Sequence, residues 1–169
     1  LPGVGENLHD HSSICLKFEG TDLMSTLMES FIKEGNTIFS EQTIAKAQSK
    51  HCTEAFDLHI YPVTGINKNS NDKWDCAIYT ANMAPLSRGN LTLQDKNLLG
   101  RPKIDQGYLT DPDGKDIAVL MDGLEIIREL SNQEDLADLI GTELSETSGI
   151  IDPNTLRQSA WHYFHPVGT

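Results

Sequence analysis

The sequence predicts an α+β fold, a mainly antiparallel β-sheet of about five or six strands with helices packed largely on one face. Three observations lead there. The strand-like runs alternate apolar and polar residues, as in a sheet with only one face fully buried. Two segments carry apolar residues at helical spacing. The order of strands and helices lacks the regular β-α-β alternation that a parallel sheet requires.

The elements follow in chain order. LPGVGENLHDH, residues 1–11, is rich in Gly and Pro and reads as extended or looped. SSICLKFE then alternates, with Ile14, Leu16 and Phe18 on one face of a strand. In TDLMSTLMESFIKEG the pairs Leu23/Met24, Leu27/Met28 and Phe31/Ile32 recur every four residues. Thr21 or Asp22 caps that helix and Gly35 ends it. SEQTIAKAQSK, residues 40–50, reads as a second, mostly exposed helix. AFDLHIYPV is a strand with Phe56, Leu58 and Ile60 on one face and Asp57, His59 and Tyr61 on the other. WDCAIYTANM is a third strand, and SRGNLTLQD and RPKIDQGYL are short extended pieces. TDPDGKDIAVLMDGLEIIREL is the clearest helix, with Ile117, Leu120, Met121, Leu124 and Ile127 in one stripe and Asp111 or Asp113 as cap. QEDLADLI reads as a short helix, and IDPNTLRQSAWHYF as a last one with Asp152 as N-cap and Pro153 at its first position.

The 169 residues suffice for one domain with a core. A net charge of −12 and the absence of any basic stripe exclude nucleic acid as a partner. Mean hydropathy is −0.36, and no apolar run approaches the roughly 18 residues of a membrane span. The first residues lack a signal peptide's basic start and apolar stretch. Cys15, Cys52 and Cys76 have no CxxC spacing and read as reduced thiols, which favours a cytoplasmic location. GVGENL has the wrong spacing for a dinucleotide-binding turn.

His165, in WHYFHPVGT, is the first candidate for catalysis. An imidazole titrating near working pH accepts a proton, Pro166 holds His165 extended, and Gly168 lets the main chain approach a cofactor. His59 and Tyr61 share the polar face of their strand, and Trp161 is near enough in sequence to His165 to wall a site. Arg88 suits a carboxylate or phosphate, with pairing to an acidic side chain the plainer expectation. The pairs His9/His11 and His162/His165 offer four imidazoles, but Pro166 interrupts the helical phase and no metal site is expected.

LPGVGENLHDH, APLSRGNLTL, PKIDQGYLTDPDGKDIAVLMDGLEIIREL and LRQSAWHYFHPVGT together, and in this order, resemble segments of the glucose-methanol-choline (GMC) family of flavin oxidoreductases. His9 stands where that family commonly has Gln, and the stretch between His11 and Ala55 is short, implying a trimmed substrate-side lid. The resemblance implies that the chain is an excised substrate-binding domain. Residues 1–11 would be the connection from an FAD-binding domain, 12–160 the substrate domain, and 161–169 the start of the return. It further implies FAD as cofactor of the intact protein, near Val4, Gly5, Asn7, Pro166, Val167 and Gly168. His165 would be the base toward a small-molecule alcohol, with His59, Tyr61 and Trp161 as substrate-binding residues. The remaining FAD-domain polypeptide would be the partner, and the isolated chain would be inactive. Two alternatives stand beside this, a binding module that uses the sheet face as a contact surface and a metal-dependent hydrolase.

Overall fold

The computed structural model describes residues 2–39, 43–67, 73–94, 100–150 and 152–163. The alternating run after the N-terminal loop forms β1 (Ser12–Gly20). It pairs antiparallel with β4 (Lys73–Asn82), Leu16 lying opposite Ile78. β4 pairs in turn with β3 (Leu58–Asn67), and β3 with β2 (Ala45–Ala47), both antiparallel. The other edge of β1 is shared by β7 (Ile140–Glu143), opposite Phe18 and Gly20, and β8 (Trp161–His162), opposite Ser13 and Ser12. The result is a six-stranded sheet in the order β2-β3-β4-β1-β7, with β8 beside β1.

One face of that sheet is sealed by α2 (Lys115–Ser131). Ile14, Leu16 and Phe18 of β1 and Cys76 and Ile78 of β4 join Ile117, Leu120, Leu124 and Ile127 in one core. Burying each such aliphatic side chain stabilises the fold by about 1.5–3 kcal/mol. The helix lies so close to β4 that a Cβ on Gly123 would sit 2.2 Å from Thr80 Oγ1. Helical patterning supplies the stripe, and the missing side chain of Gly123 lets it reach the sheet.

The start of α2 is held by aspartates. Gly114 occupies the N-cap with φ 67°, and the Asp111 carboxylate accepts the Lys115 N–H at 2.6 Å. Asp116, 1% exposed, accepts the Leu86 N–H at 2.8 Å and the Asn82 amide at 3.1 Å on Oδ1, and the Ser87 N–H at 2.8 Å on Oδ2. A single buried carboxylate thereby fixes the loop that leaves β4. Asp122 farther along α2 accepts the Lys50 N–H at 2.7 Å, and Asp57 takes both the N–H and the hydroxyl of Ser49, at 2.8 and 2.6 Å.

Thr21 caps α1 (Asp22–Lys33) by accepting the Met24 N–H, and Gly35 follows the helix with φ 84°. The pattern locates this helix well but overstates its burial. Met24 is its one buried residue, while Leu27 and Phe31 are 52% and 40% exposed and border a groove of about 430 Å³ with Ile38, Phe39, Pro62 and Thr64. α5 (Pro153–Ser159) begins as expected, with Asp152 accepting from Asn154 and Thr155.

Four local expectations are corrected. Residues 45–47 are β2, not helix; they satisfy the open edge of β3 (residues 40–42 lie outside the described residues). β5 (Asn90–Thr92) and β6 (Lys103–Asp105) form a separate two-stranded sheet and are not part of the main one. The helix at 133–140 shortens to α3 (Glu134–Ala137), freeing Ile140 to begin β7. The last helix stops at Ser159, because the unpaired edge of β1 recruits Trp161 and His162. A further helical turn, α4 (Ser145–Ser148), follows β7.

Replacing Gly123 with Val should lower unfolding stability by about 1–3 kcal/mol through overpacking against Thr80. Asp116→Ala strands three N–H donors, each costing about 1–3 kcal/mol, so its urea midpoint should fall further than that of Asp57→Ala. A third test concerns the thiols. Burial, with Asp75 adding to it, pushes the Cys76 thiol up to about 11, so its thiolate is scarce at pH 8. A chromogenic disulfide reagent at that pH should modify half-exposed Cys52 first and reach buried Cys15 and Cys76 only on unfolding.

Candidate functional site

The two-residue period of β3 places His59, Tyr61 and Val63 on the face away from the α2 core. That face is not simply polar, because register brings aromatic partners onto it. Tyr61 lies opposite Tyr79 of β4, their rings stacked at 5.0 Å. Tyr163, just past β8, packs on Tyr61 at 5.4 Å, and Trp161 lies 6.2 Å from Tyr79. Tyr61 and Tyr163 are 4% and 8% exposed, whereas Trp161 at 46% rims the cluster. His59, Tyr61 and Trp161, all singled out in the sequence, thus come together on one surface.

Three members of that surface were not singled out. Tyr79 shares the parity of Tyr61 across the β3–β4 register, a signal available only once the pairing is known. Tyr163 was legible by its place beside the His165 segment. Phe56 stacks on the His59 ring at 5.5 Å, although plain alternation put it on the opposite face. It precedes β3, in a stretch that Asp57 ties back to Ser49, and so escapes the strand's parity.

Burial first, and the Lys46 ammonium second, hold the His59 imidazole below the ordinary histidine range. Its Nδ1 lies 3.4 Å from the Tyr163 hydroxyl, and its buried Nε2 has no hydrogen-bond partner among the described residues. Lys46 sits 4.3 Å from the centroid of the Phe56 ring, a cation–π contact at the margin of the face.

The N-terminal segment forms a second group of predicted residues. Gly3, Gly5 and Asn7 all have positive φ, at 84°, 83° and 65°, and Val4 projects to solvent. Gly5 O accepts the Leu91 N–H at 2.7 Å and Leu8 O accepts the Gly89 N–H at 2.7 Å, so this loop runs along the SRGNL segment. Glycine is required at position 5 because a Cβ would lie 2.0 Å from Leu91 O. Farther along, Asp10 accepts a short hydrogen bond from the Tyr108 hydroxyl. Burial, and then this pairing, push the Tyr108 phenol well above its ordinary range.

The two groups meet where the Tyr163 N–H donates to His11 O at 2.8 Å, beside the β1–β8 pairing. His165, Pro166, Val167 and Gly168 lie outside the described residues. Arg88 donates to the carbonyls of Pro85 and Ser87, at 2.8 and 2.9 Å, and no acidic side chain among the described residues pairs with it. His9 bonds its own loop through Asn7 O at 2.9 Å. Among the described residues no three metal-ligating side chains converge, and no helix is long and apolar enough to cross a membrane.

Residues 85–169, half of the chain, match the family described as GMC oxidoreductase. Over 99% of its length the chain is 28% identical to the choline oxidase of Arthrobacter globiformis, of which it covers 31%. Its fold matches pyridoxine 4-oxidase from Mesorbium loti with a TM-score of 0.75 and 16% identity, over 98% of this chain and 32% of that one. It also matches a formate oxidase of Aspergillus oryzae, solved to follow the effect of a mutation on FAD modification, with a TM-score of 0.74 and 14% identity. That likeness covers 98% of this chain and 37% of the oxidase. The chain spans about a third of the length of the curated relatives it matches. An antiparallel sheet backed by helices, the apposed GVGEN and SRGNL segments and the match over residues 85–169 lead to one assignment: the chain belongs to the GMC oxidoreductase family.

Proposed function

We propose that this chain is the substrate-binding domain of an FAD-dependent enzyme that oxidises a small-molecule alcohol to a carbonyl compound. One observation carries the reading. β8 delivers Tyr163 into the aromatic face that holds His59 and Tyr61, and His165 follows two residues later. The aromatic character of that face favours an enzyme pocket over a recruited polar contact surface.

In this reading an imidazole nitrogen of His165 accepts the proton of the substrate hydroxyl. Tyr61, Tyr79 and Trp161 hold the carbon skeleton and exclude water, while His59 meets the substrate oxygen. FAD, when bound, supplies the acceptor for the electron pair leaving the carbinol carbon. The residues present fit the ring end of that cofactor and not its phosphates. Exposed Val4 and the left-handed backbone of Gly3 and Asn7 give a surface that a flat ring can approach, and the sequence holds no GxGxxG cradle. Pro166, Val167 and Gly168 would complete that edge. Residues 1–11 and 161–169 would connect to the FAD-binding polypeptide, and the pairing of Ser12 with His162 supports that division by bringing both connections side by side.

His165→Ala in the complete, FAD-loaded enzyme should retain the flavin absorbance yet slow flavin reduction by alcohol about 100- to 10,000-fold under anaerobic stopped flow. A variant within twofold of wild type would remove His165 from the chemistry. Residues 1–169 alone should neither bind yellow flavin nor turn over alcohol.

A further inference from the structure

The Tyr163 hydroxyl makes a contact with a chemical consequence that depends on its direction. It lies 3.4 Å from His59 Nδ1, with the two rings edge-on at 6.1 Å and 69°. The main chain of Tyr163 is fixed by its N–H bond to His11 O, and its ring by packing on Tyr61. The phenol is therefore held at one side of the imidazole by two contacts independent of His59. A neutral imidazole has one N–H and one bare nitrogen, and a phenol O–H is a better donor than an imidazole N–H. The favoured sense of this bond is Tyr163 O–H donating to a bare Nδ1, which leaves the proton on Nε2. Among the described residues Nε2, shielded from solvent, has no acceptor. A polar group so placed needs a partner from outside the described residues.

We propose that Tyr163 is a positioning residue that locks His59 in its Nε2–H tautomer, so that His59 presents a ready N–H donor to the substrate oxygen. The proposal rests on the assignment of His59 to the substrate pocket. The charged and titratable groups around His59 agree with a neutral ring. Lys46 of β2 lies opposite it in register, Tyr61 follows it on the same face of β3 with Tyr79 of β4 stacked on Tyr61, and His11 approaches Tyr163 from just before β1 at 6.1 Å. The neighbouring carboxylate of Asp57 is engaged by Ser49. A donor of fixed direction favours the oxygen as it gains negative charge, which is when an alcohol is being deprotonated.

Two measurements on the complete FAD-loaded enzyme test this. Nitrogen NMR with labelled histidine reads the tautomer directly, with His59→Gln identifying the signal. The expected result is a neutral His59 protonated on Nε2 in wild type, and a mixture of tautomers in Tyr163→Phe. A proton on Nδ1 in wild type, or no change in Tyr163→Phe, overturns the proposal whether or not the enzyme oxidises alcohols. The second measurement is flavin reduction in a double-mutant cycle. His59→Gln keeps an N–H near the Nε2 position and should lose less rate than His59→Asn, which places its amide near Nδ1. Tyr163→Phe should slow reduction about 3- to 30-fold in the wild-type background and have no effect in His59→Gln, since an amide has no tautomer to set. An equal loss in both backgrounds makes Tyr163 a packing residue and sinks the proposal. Absence of flavin reduction by any alcohol in wild type would instead contradict the oxidoreductase reading, and the tautomer result would still decide the role of Tyr163.

Discussion

Everything that positions the site depends on how the edge of β1 is divided. β4 occupies one side along the length of the strand, Ser13 to Glu19. The other side is split between β7 near Gly20 and β8 near Ser12, and the β7 pairing shifts register between Phe18 and Gly20. Had β7 continued along that edge, β8 would have nowhere to pair. Tyr163 would then lose its bond to His11 and the aromatic face its outer member. A two-residue strand contributes little on its own, since isolated short pairings are marginal. It is held because Leu156 of α5, fully buried, docks the preceding helix into the main core.

The loops around that sheet are organised by buried carboxylates. Asp10, Asp57, Asp111, Asp116 and Asp122 are each at least nine-tenths buried and each accepts a hydrogen bond from another segment. In a chain of net charge −12, part of the acidic excess is turned inward, where backbone N–H groups bond Asp57, Asp111, Asp116 and Asp122 and the Tyr108 hydroxyl bonds Asp10. Asp116 and Asp111 join the loop after β4 to the start of α2, and Asp10 with Tyr108 anchors the N-terminal segment to the same neighbourhood. The segments that carry family likeness are thereby held against one another by hydrogen bonds that replace a continuous sheet.

The sequence made the main strands and helices legible because their periods are long enough to average over local noise. β1, β3 and β4 alternate over nine or ten residues, and α2 shows its stripe over seventeen. Short elements failed for the opposite reason. Ala45–Ala47 and Trp161–His162 have no period of their own and become strands only because an edge awaits them. Asp111 was legible at the start of α2, but the roles of Asp57, Asp116 and Asp122 were hidden because an acidic residue reads as surface until its N–H partners are known. Of the site, His59, Tyr61 and Trp161 were visible as residues, but Tyr79 and Phe56 depended on register and on a loop that pairing alone determines.

The central claim is that the aromatic face and His165 line a single substrate pocket. A crystal structure of the complete FAD-bound protein with an inert alcohol analogue tests it most directly. The account predicts one analogue touching Tyr61, His59 and the His165 imidazole together, in front of the flavin ring. An analogue bound against the ring with the aromatic face turned away, or a His165 side chain directed out of that pocket, would contradict it.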